Sequence, residues 1–318
     1  MVSGLGSALP YVFVISETLV RRMSLGDLAL YAGLVFEVRR SMYVLIGNAV
    51  NLQDASFGAK ALFQLLDLRP ELGSIPALPQ TSETSPGIHI QNVSFRYPEC
   101  EPLVLDTIEL ELHANEILVL VGENGAGKTS LVKLLCRFYD PSSGSIFWNG
   151  ADLRSLELAQ LRRKIAVLTQ DFARFPASLR ENVGFGDLDA IHNDEAIYHA
   201  AHMAGLSELL DQLPDALSTL LTRQFSAGID LSGGQWQRVA LARAIMRLQS
   251  AELVILDEPN AALDPRAEYE LTQALRELLH GKIGLVISHR LSLARSADRI
   301  IVLEHGRILE QGNHTELM

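Results

Sequence analysis

The sequence is poor in cysteine and in positive charge, and each shortage excludes a class of protein. The 318 residues contain two cysteines, Cys100 and Cys136, which are too few for a disulfide scaffold and show no spacing typical of zinc. Lysine and arginine total 27 against 38 aspartates and glutamates, which gives a net charge of −11. This balance argues against a broad basic surface, and we expect no nucleic-acid partner. Apolar residues make up 48% of the chain, which excludes a disordered polymer.

The first 70 residues differ from the rest, because they are nearly neutral and rich in apolar stretches. Residues 1–16 carry no charge, but a helix of that length is shorter than the ~30 Å hydrocarbon core of a bilayer. A signal peptide is the alternative, although its basic start and its cleavage site are missing. Residues 28–50 are long enough to span a bilayer, but Glu37, Arg39 and Arg40 interrupt them. Such charges usually face protein or water inside a membrane domain, and a soluble amphipathic helix is the alternative.

A proline-rich segment separates this front part from the remainder of the chain. Residues 51–69 predict a further amphipathic helix, which Pro70 ends. Residues 70–87 then contain four prolines together with several serines and threonines, a composition typical of a linker. We therefore divide the chain into an all-α front part (1–69), a linker (70–87) and a second domain (88–318).

The second domain shows two kinds of strand pattern. Apolar and polar residues alternate around Ile88 and Ile90 and again from Ile108 to Leu112, which predicts half-exposed antiparallel strands. Continuous apolar runs are typical of parallel strands that helices cover on both faces. They lie at Ile117–Val121, Leu253–Leu256, Leu285–Ile287 and Ile300–Leu303. Because helical patterns alternate with these runs, we predict a doubly wound α/β core.

A glycine-rich motif of the form G-x-x-x-x-G-K-T follows the first apolar run directly and precedes a predicted helix. In this context, Gly122 to Thr129 predict a loop whose N–H groups surround phosphate oxygens. The N-terminal end of the next helix favours the same anion. Lys128 would contact the β- and γ-phosphates, and the Thr129 hydroxyl would bind Mg²⁺.

A pair of carboxylates ends the apolar run Leu253–Leu256. Asp257 at the end of a strand beside a phosphate loop is expected to hold Mg²⁺, and Glu258 is positioned to polarise the attacking water. A solvated turn is the plain alternative for two acids in this position. The nearby phosphate motif favours the catalytic interpretation.

Between the phosphate loop and the carboxylates lies the sequence LSGGQ, at the start of a predicted helix. A serine and two glycines there would form a second anion site from backbone N–H groups. With this motif the chain resembles the ABC ATPases, and the resemblance implies a P-loop NTPase core with an antiparallel β subdomain and a helical subdomain. It also implies that two such domains meet head to tail, so that each signature closes on the partner's ATP. The signature residues are Leu231, Ser232, Gly233, Gly234 and Gln235.

The resemblance assigns further roles residue by residue. Tyr97 is expected to stack on adenine, Asp264 to lie in a loop that crosses to the partner, and His289 to contact the γ-phosphate during catalysis with Glu258 and Lys128. Ala261 stands where the family commonly has serine, which removes a hydroxyl from that crossing loop. The implied Mg²⁺ ligands are Thr129, Gln170 and Asp257. The implied nucleotide-binding residues are Tyr97, Gly122, Glu123, Asn124, Gly125, Ala126, Gly127, Lys128, Thr129, Ser130 and Gln170.

The front part is similar to the end of an exporter's membrane domain. Ser24–Leu28 resembles the turn between its last two membrane helices, and Phe63–Asp67 resembles a cytoplasmic extension. The resemblance implies a membrane-bound ATPase whose ATPase domain is cytoplasmic, with lipid and a second ABC subunit as partners, and it leaves the transported substrate open. A complete exporter half has six membrane helices, so we expect this chain to be a C-terminal fragment that forms no transport pathway alone. We also hypothesise that Arg39 and Arg40 line a polar cavity.

Two other functions remain open from the sequence. A soluble ABC ATPase of DNA repair or translation would require a basic groove, a long coiled-coil insertion or tandem ATPase domains, none of which the sequence contains. A non-transporting nucleotide-binding remnant would keep the same motifs without catalysis. An ATPase assay separates the remnant from the enzyme.

Overall fold

The computed structural model describes residues 24–67, 86–98, 100–224, 228–259, 276–288 and 291–318, together with positions 12, 15, 16 and 273. The chain divides into two compact units, Met1–Glu71 and Leu72–Met318. This division falls at the start of the predicted linker.

The first unit contains one long helix, α1 (Leu25–Leu66), of 42 residues. At about 1.5 Å per residue its length is about 63 Å. The helix begins three residues earlier than the apolar pattern indicates, because Ser24 caps it. The Asp27 amide donates to Ser24 Oγ, and the Ser24 amide donates to Asp27 Oδ2 (2.9 Å), which together form a capping box.

Helix α1 joins the two predicted helices of the front part into one. Most of its large apolar side chains are exposed, from Leu30 to Leu66. The Arg39 guanidinium lies 5.6 Å from the centre of the Tyr43 ring. Among the residues that the structure describes, no helix combines the length and the apolar character needed to cross a bilayer.

The second unit contains an antiparallel sheet of four strands in the order β2-β1-β4-β5. As predicted, β2 buries Ile108, Leu110 and Leu112 and exposes the residues between them. This side-chain alternation lets one face of the sheet pack on the core. The strands are β1 (Ile88–Phe95), β2 (Leu105–Leu112), β4 (Ser143–Trp148) and β5 (Ala151–Asp152).

A second sheet has six strands in the order β10-β9-β3-β8-β7-β6. Five of them run parallel, and β10 pairs antiparallel with β9 at one edge. The continuous apolar runs form its central strands, as predicted. The strands are β3 (Glu116–Val121), β6 (Ile165–Leu168), β7 (Leu253–Asp257), β8 (Ile283–Ile287), β9 (Arg299–Glu304) and β10 (Arg307–Gly312).

Helices cover the six-stranded sheet on one face, and the antiparallel sheet with α2 covers the other. Alternate residues of β7 show this arrangement: Val254 and Leu256 join one apolar cluster, whereas Leu253 and Ile255 join the other. Burial on both faces explains why the strand carries no polar alternation. The α-helices whose bounds lie within the described part of this unit are α2 (Lys128–Leu135), α3 (Leu158–Arg163), α4 (Leu179–Gly184), α5 (Asp194–Met203), α6 (Ser207–Gln212), α7 (Gly233–Met246) and α8 (Leu291–Ser296).

Candidate active site

The loop between β3 and α2 needs glycine where its backbone passes close to other chain segments. Gly122 has φ +154°, and a Cβ there would lie 2.2 Å from the carbonyl oxygen of Leu303. Gly127 has φ +107°, and a Cβ there would lie 2.7 Å from Leu105 Cδ2. Only glycine fits both constraints, so the loop curls tightly from the strand into the first turn of α2.

Lys128 is the first residue of α2, and its side chain folds back over this loop. Its ammonium group donates hydrogen bonds to the carbonyl oxygens of Gly122 (2.7 Å) and Glu123 (2.8 Å). The positive charge therefore lies at the mouth of the loop, next to the N-terminal end of α2. This arrangement of lysine, loop and helix end suits a polyphosphate.

Three predicted site residues meet at one edge of the six-stranded sheet. Strands β3, β8, β7 and β6 are parallel neighbours, so their carboxyl ends lie side by side. Gln170 follows β6, and its Nε2 donates to Glu258 Oε2 at 3.3 Å. Asp257 ends β7, and the charges of Glu258 and Lys128 both act on it. The structure thus gathers these groups around one position, as α/β sheets do at their binding edges.

The Asp257 carboxyl lies in an environment that disfavours its charge. Its residue is 5% exposed, and the loss of hydration raises its pKa to about 6. The neighbouring charges of Glu258 and Asp171 contribute to this rise, whereas the charge of Lys128 opposes it. A cation at this carboxylate would relieve the cost of the buried charge, which fits a metal-binding role.

The hydroxyl, amide and carboxylate oxygens of Thr129, Gln170 and Asp257 are hard ligands of the kind that Mg²⁺ prefers. Among the described residues, no group of three or more histidine, cysteine, aspartate or glutamate side chains is arranged to hold a metal. This is compatible with Mg²⁺, which usually binds through only one or two carboxylates, together with phosphate oxygens and water.

Glu258 adopts a backbone conformation that is unusual for a residue with a side chain, with φ +50°. Its amide donates to the carbonyl of Ile287 in β8 (2.9 Å), and its own carbonyl accepts from Gln237 Nε2 of α7 (2.9 Å). Such left-handed conformations persist where neighbouring groups fix them, and they cluster at functional sites. The turn aims the Glu258 carboxylate at Gln170.

Tyr97 is half-buried next to the phosphate loop. Its ring makes edge contacts with Phe95 and Tyr139, at centroid distances of 5.0 and 5.3 Å. Its hydroxyl is 2.9 Å from the Oγ of Ser130 in α2. Ser130 is among the residues that the family resemblance assigns to nucleotide binding, and it is buried. Its contact with the Tyr97 hydroxyl anchors Tyr97 to the helix that follows the loop.

The signature motif lies at the exposed start of α7. Ser232 is the N-cap and forms a capping box with Gln235: the Ser232 amide donates to Gln235 Oε1 (2.8 Å), and the Gln235 amide to Ser232 Oγ (3.3 Å). Leu231 is buried, whereas Ser232 and Gly233 are exposed. A Cβ added to Gly233 would meet no described atom within 4 Å. The helix tip is therefore open to an incoming group.

Three residues singled out in the sequence lie outside the described residues. They are His289, Asp264 and Ala261. Their predicted roles stay predictions.

Two residues near Glu258 and Asp257 were missed by the sequence reasoning. Gln237 contacts the Glu258 backbone from α7, and the Asp171 charge reaches Asp257. Asp171 could have been found as the neighbour of Gln170. The sequence indicates Gln237 less clearly, because a glutamine in a helix after a glycine motif is not a residue type typical of catalysis.

The strand–loop–helix cradle, the carboxylates at the adjacent strand end and the exposed glycine-bearing helix tip define an ABC-type ATP-binding domain. A family profile described as "ABC transporter" matches residues 105–261. Residues 105–261 therefore form a domain of the ABC transporter family.

Individual relatives extend this similarity over nearly the whole chain. An ATP-dependent lipid A-core flippase of Aromatoleum aromaticum is 35% identical over 98% of the chain and 51% of its own length. The subtilin transport ATP-binding protein SpaT of Bacillus subtilis is 34% identical over 98% of the chain and 50% of its own length. A solved structure of a bacterial Atm1-family ABC exporter with ATP bound matches with a TM-score of 0.76 and 28% identity, over 99% of this chain and 54% of that one. The chain thus spans about half the length of the curated relatives it matches.

Proposed function

We propose that this chain is the ATP-hydrolysing part of an ABC exporter, and that it couples ATP-driven pairing of two nucleotide domains to the export of a substrate. The observation that carries the proposal is the convergence of Lys128, Gln170, Asp257 and Glu258 at one sheet edge. A strained Glu258 backbone that directs the carboxylate to Gln170 is expected of a catalytic site and not of a remnant without catalysis.

The phosphate loop would hold the triphosphate of ATP through its backbone N–H groups, with Lys128 neutralising the β- and γ-phosphates. The Lys128 ammonium would exchange its present carbonyl partners for phosphate oxygens. Tyr97 would stack on the adenine ring, and its bond to Ser130 would fix the ring relative to α2.

Thr129, Gln170 and Asp257 would hold Mg²⁺, which would neutralise the charge that develops on the phosphate oxygens during hydrolysis. Asp257 would bind as the ionised carboxylate. Its raised pKa is consistent with a carboxylate that depends on a nearby cation to keep its charge.

Glu258 would accept a proton from the attacking water, with Gln170 orienting the Glu258 carboxylate and His289 contacting the γ-phosphate. The residues Ser232–Gly234 of a second subunit would complete the site, with Asp264 in the crossing loop. The exposure of Ser232 and Gly233 at the tip of α7 supports this pairing.

The front part would belong to the membrane domain, where α1 would pack among the other helices of that domain and continue into the cytoplasm. Its exposed apolar side chains support burial against lipid or other helices. Arg39 and Arg40 would then face the polar interior of the complete domain. The relatives' names assign them different molecules, so the proposal concerns the ATP-driven step and export as a class.

ATP hydrolysis by the purified chain and by two variants tests the proposal. We expect Glu258→Gln to bind MgATP with the parental affinity and to hydrolyse it at least about 100-fold more slowly, because it loses the base that activates water. Lys128→Ala should lose ATP affinity itself. Parental turnover in Glu258→Gln would exclude Glu258 as the base, and an inactive parental chain that binds ATP would favour the remnant.

A further inference from the structure

Two hydrogen bonds hold the backbone of Glu258. One of them comes from α7, the helix that begins at the signature motif. The Glu258 amide donates to Ile287 of the neighbouring strand β8, and its carbonyl accepts from Gln237 Nε2 of α7, each at 2.9 Å. The conformation at φ +50° is costly for a residue with a Cβ. A hydrogen bond to the carbonyl helps to hold the peptide in this orientation, and the orientation sets the direction of the carboxylate.

Gln237 is well placed to fix that orientation. It lies two residues after Gln235, the second residue of the capping box, and it is 6% exposed. A buried amide keeps a hydrogen bond at nearly all times, since leaving it unpaired is costly. Around it, Trp236, Val239 and Ala240 are packed into the apolar cluster on the helical face of the large sheet. The hydrogen bond from Gln237 therefore couples the position of α7 directly to that of the Glu258 carbonyl.

We propose that Gln237 is a positioning residue for ATP hydrolysis: it holds the Glu258 backbone so that the carboxylate reaches the water, and it links the signature tip of α7 to that carboxylate. The inference rests on the proposed role of Glu258 as the base. In a head-to-tail dimer, the tip of α7 in one subunit contacts ATP in the partner's loop. Docking of that ATP would shift α7, and Gln237 would transmit the shift to Glu258 of its own subunit. The two ATP sites would thereby be coupled.

The test is the Gln237→Met substitution in the full chain, because methionine has a similar length and shape but no donor. We expect kcat to fall about tenfold or more, since small misplacements of a catalytic group have large kinetic effects. The Kd for ATP and the KM should stay within about twofold of the parent, because the group acts only on the chemical step. The Hill coefficient for ATP should fall to about one, since the link between sites is lost.

Arg238→Met is the matched control. Arg238 is the next residue of α7, and its Nη1 donates to another main-chain oxygen, that of Gly205, at 2.8 Å. This variant removes a comparable bond from the same helix away from Glu258, so its kcat should be parental. If Gln237→Met does not fold, as judged by circular dichroism, Gln237→Leu removes the donor with a shorter apolar side chain.

Each result decides between distinct conclusions. A parental kcat in the folded Gln237 variant overturns the inference. So does an equal loss of kcat in Arg238→Met, because the effect would then be a general loosening of α7. Glu258→Gln is run in parallel: if it is inactive while Gln237→Met is active, the inference alone fails. If Glu258→Gln turns over normally, the proposed function of Glu258 fails first.

Discussion

At the scale of single residues, the folded structure disfavours the charged form of one carboxyl group in the site, that of Asp257. The pKa of Asp257 is raised to about 6, mainly by loss of hydration, whereas that of an ordinary aspartate is 3.8. The unfolded chain therefore gives up this proton at lower pH than the folded chain. Ionised Asp257 lowers the free energy of unfolding by roughly 2–3 kcal/mol above about pH 6, in the absence of a cation.

Asp257→Asn should therefore stabilise the metal-free chain at neutral pH, because asparagine resembles the protonated acid. Thermal unfolding in EDTA should show a Tm several degrees above the parent, and the difference should fade below about pH 4, where both states are protonated. Asp152→Asn is the control of opposite sign. Burial raises the pKa of Asp152, but hydrogen bonds from Arg154 outweigh it and lower that pKa, so its loss should destabilise at neutral pH. An unchanged Tm in Asp257→Asn would contradict the buried-charge account.

Tyr97 allows a second residue-scale test, because its ring and its hydroxyl have separate roles. If the ring stacks on adenine, Tyr97→Ala should weaken ATP binding by about 1–3 kcal/mol, while Tyr97→Phe should keep most of the affinity. Inorganic tripolyphosphate has no base, so its affinity should not change in either variant. Fluorescence titration gives the affinities of the parent and of both variants for each of the two ligands. Equal ATP affinity in Tyr97→Ala and the parent would reduce Tyr97 to a packing residue beside Phe95 and Tyr139.

At the scale of elements, two capping boxes of the same kind allow the effect of a helix cap on stability to be measured apart from its effect on catalysis. Ser232 caps α7 with Gln235, and Ser178 caps α4 with Glu181. Replacing either serine with alanine should cost about 0.5–2 kcal/mol of stability in urea unfolding. Only Ser232→Ala should also lower kcat, because its hydroxyl would face the partner's ATP. A comparable loss of kcat in Ser178→Ala would show that capping alone explains the effect.

The elements also show what a sequence can and cannot predict. The apolar runs predict the central strands, because a strand that is buried on both faces shows no alternation of apolar and polar residues. The glycines followed by Lys128 predict the phosphate loop, because few functions other than phosphate binding require that pattern. Strand β10 was not predicted, since RILEQG is polar and pairs only at the edge of the sheet. The start of α1 was placed three residues late, because its cap at Ser24 is polar and lies outside the apolar run. The Gln237 contact depends on the packing of α7 against β7, which no local pattern encodes.

At the scale of the whole molecule, the described chain holds each half of a catalytic site at a different place. The phosphate loop lies between β3 and α2, whereas the signature lies at the tip of α7. Lys128 is half-buried inside its loop, and Ser232 is exposed. If both halves are needed for one ATP, a pair of chains related by a twofold axis supplies two complete sites.

Mixing two defective chains tests this division directly. Lys128→Ala removes the lysine of the loop, and Ser232→Arg blocks the signature, so a homodimer of either variant has two broken sites. In a mixed dimer, the loop of the Ser232→Arg chain meets the intact signature of the Lys128→Ala chain, and one site is complete. Each variant alone should be inactive, whereas an equimolar mixture should recover up to about a quarter of the parental ATPase rate, because half the dimers are mixed and each has one working site. A mixture as inactive as its components, at concentrations where the parent hydrolyses ATP and where cross-linking shows that mixed dimers form, would mean that one complete site does not turn over by itself. Either the signature does not act on the partner's nucleotide, or Glu258 needs both sites to be filled, as the Gln237 link between α7 and Glu258 requires.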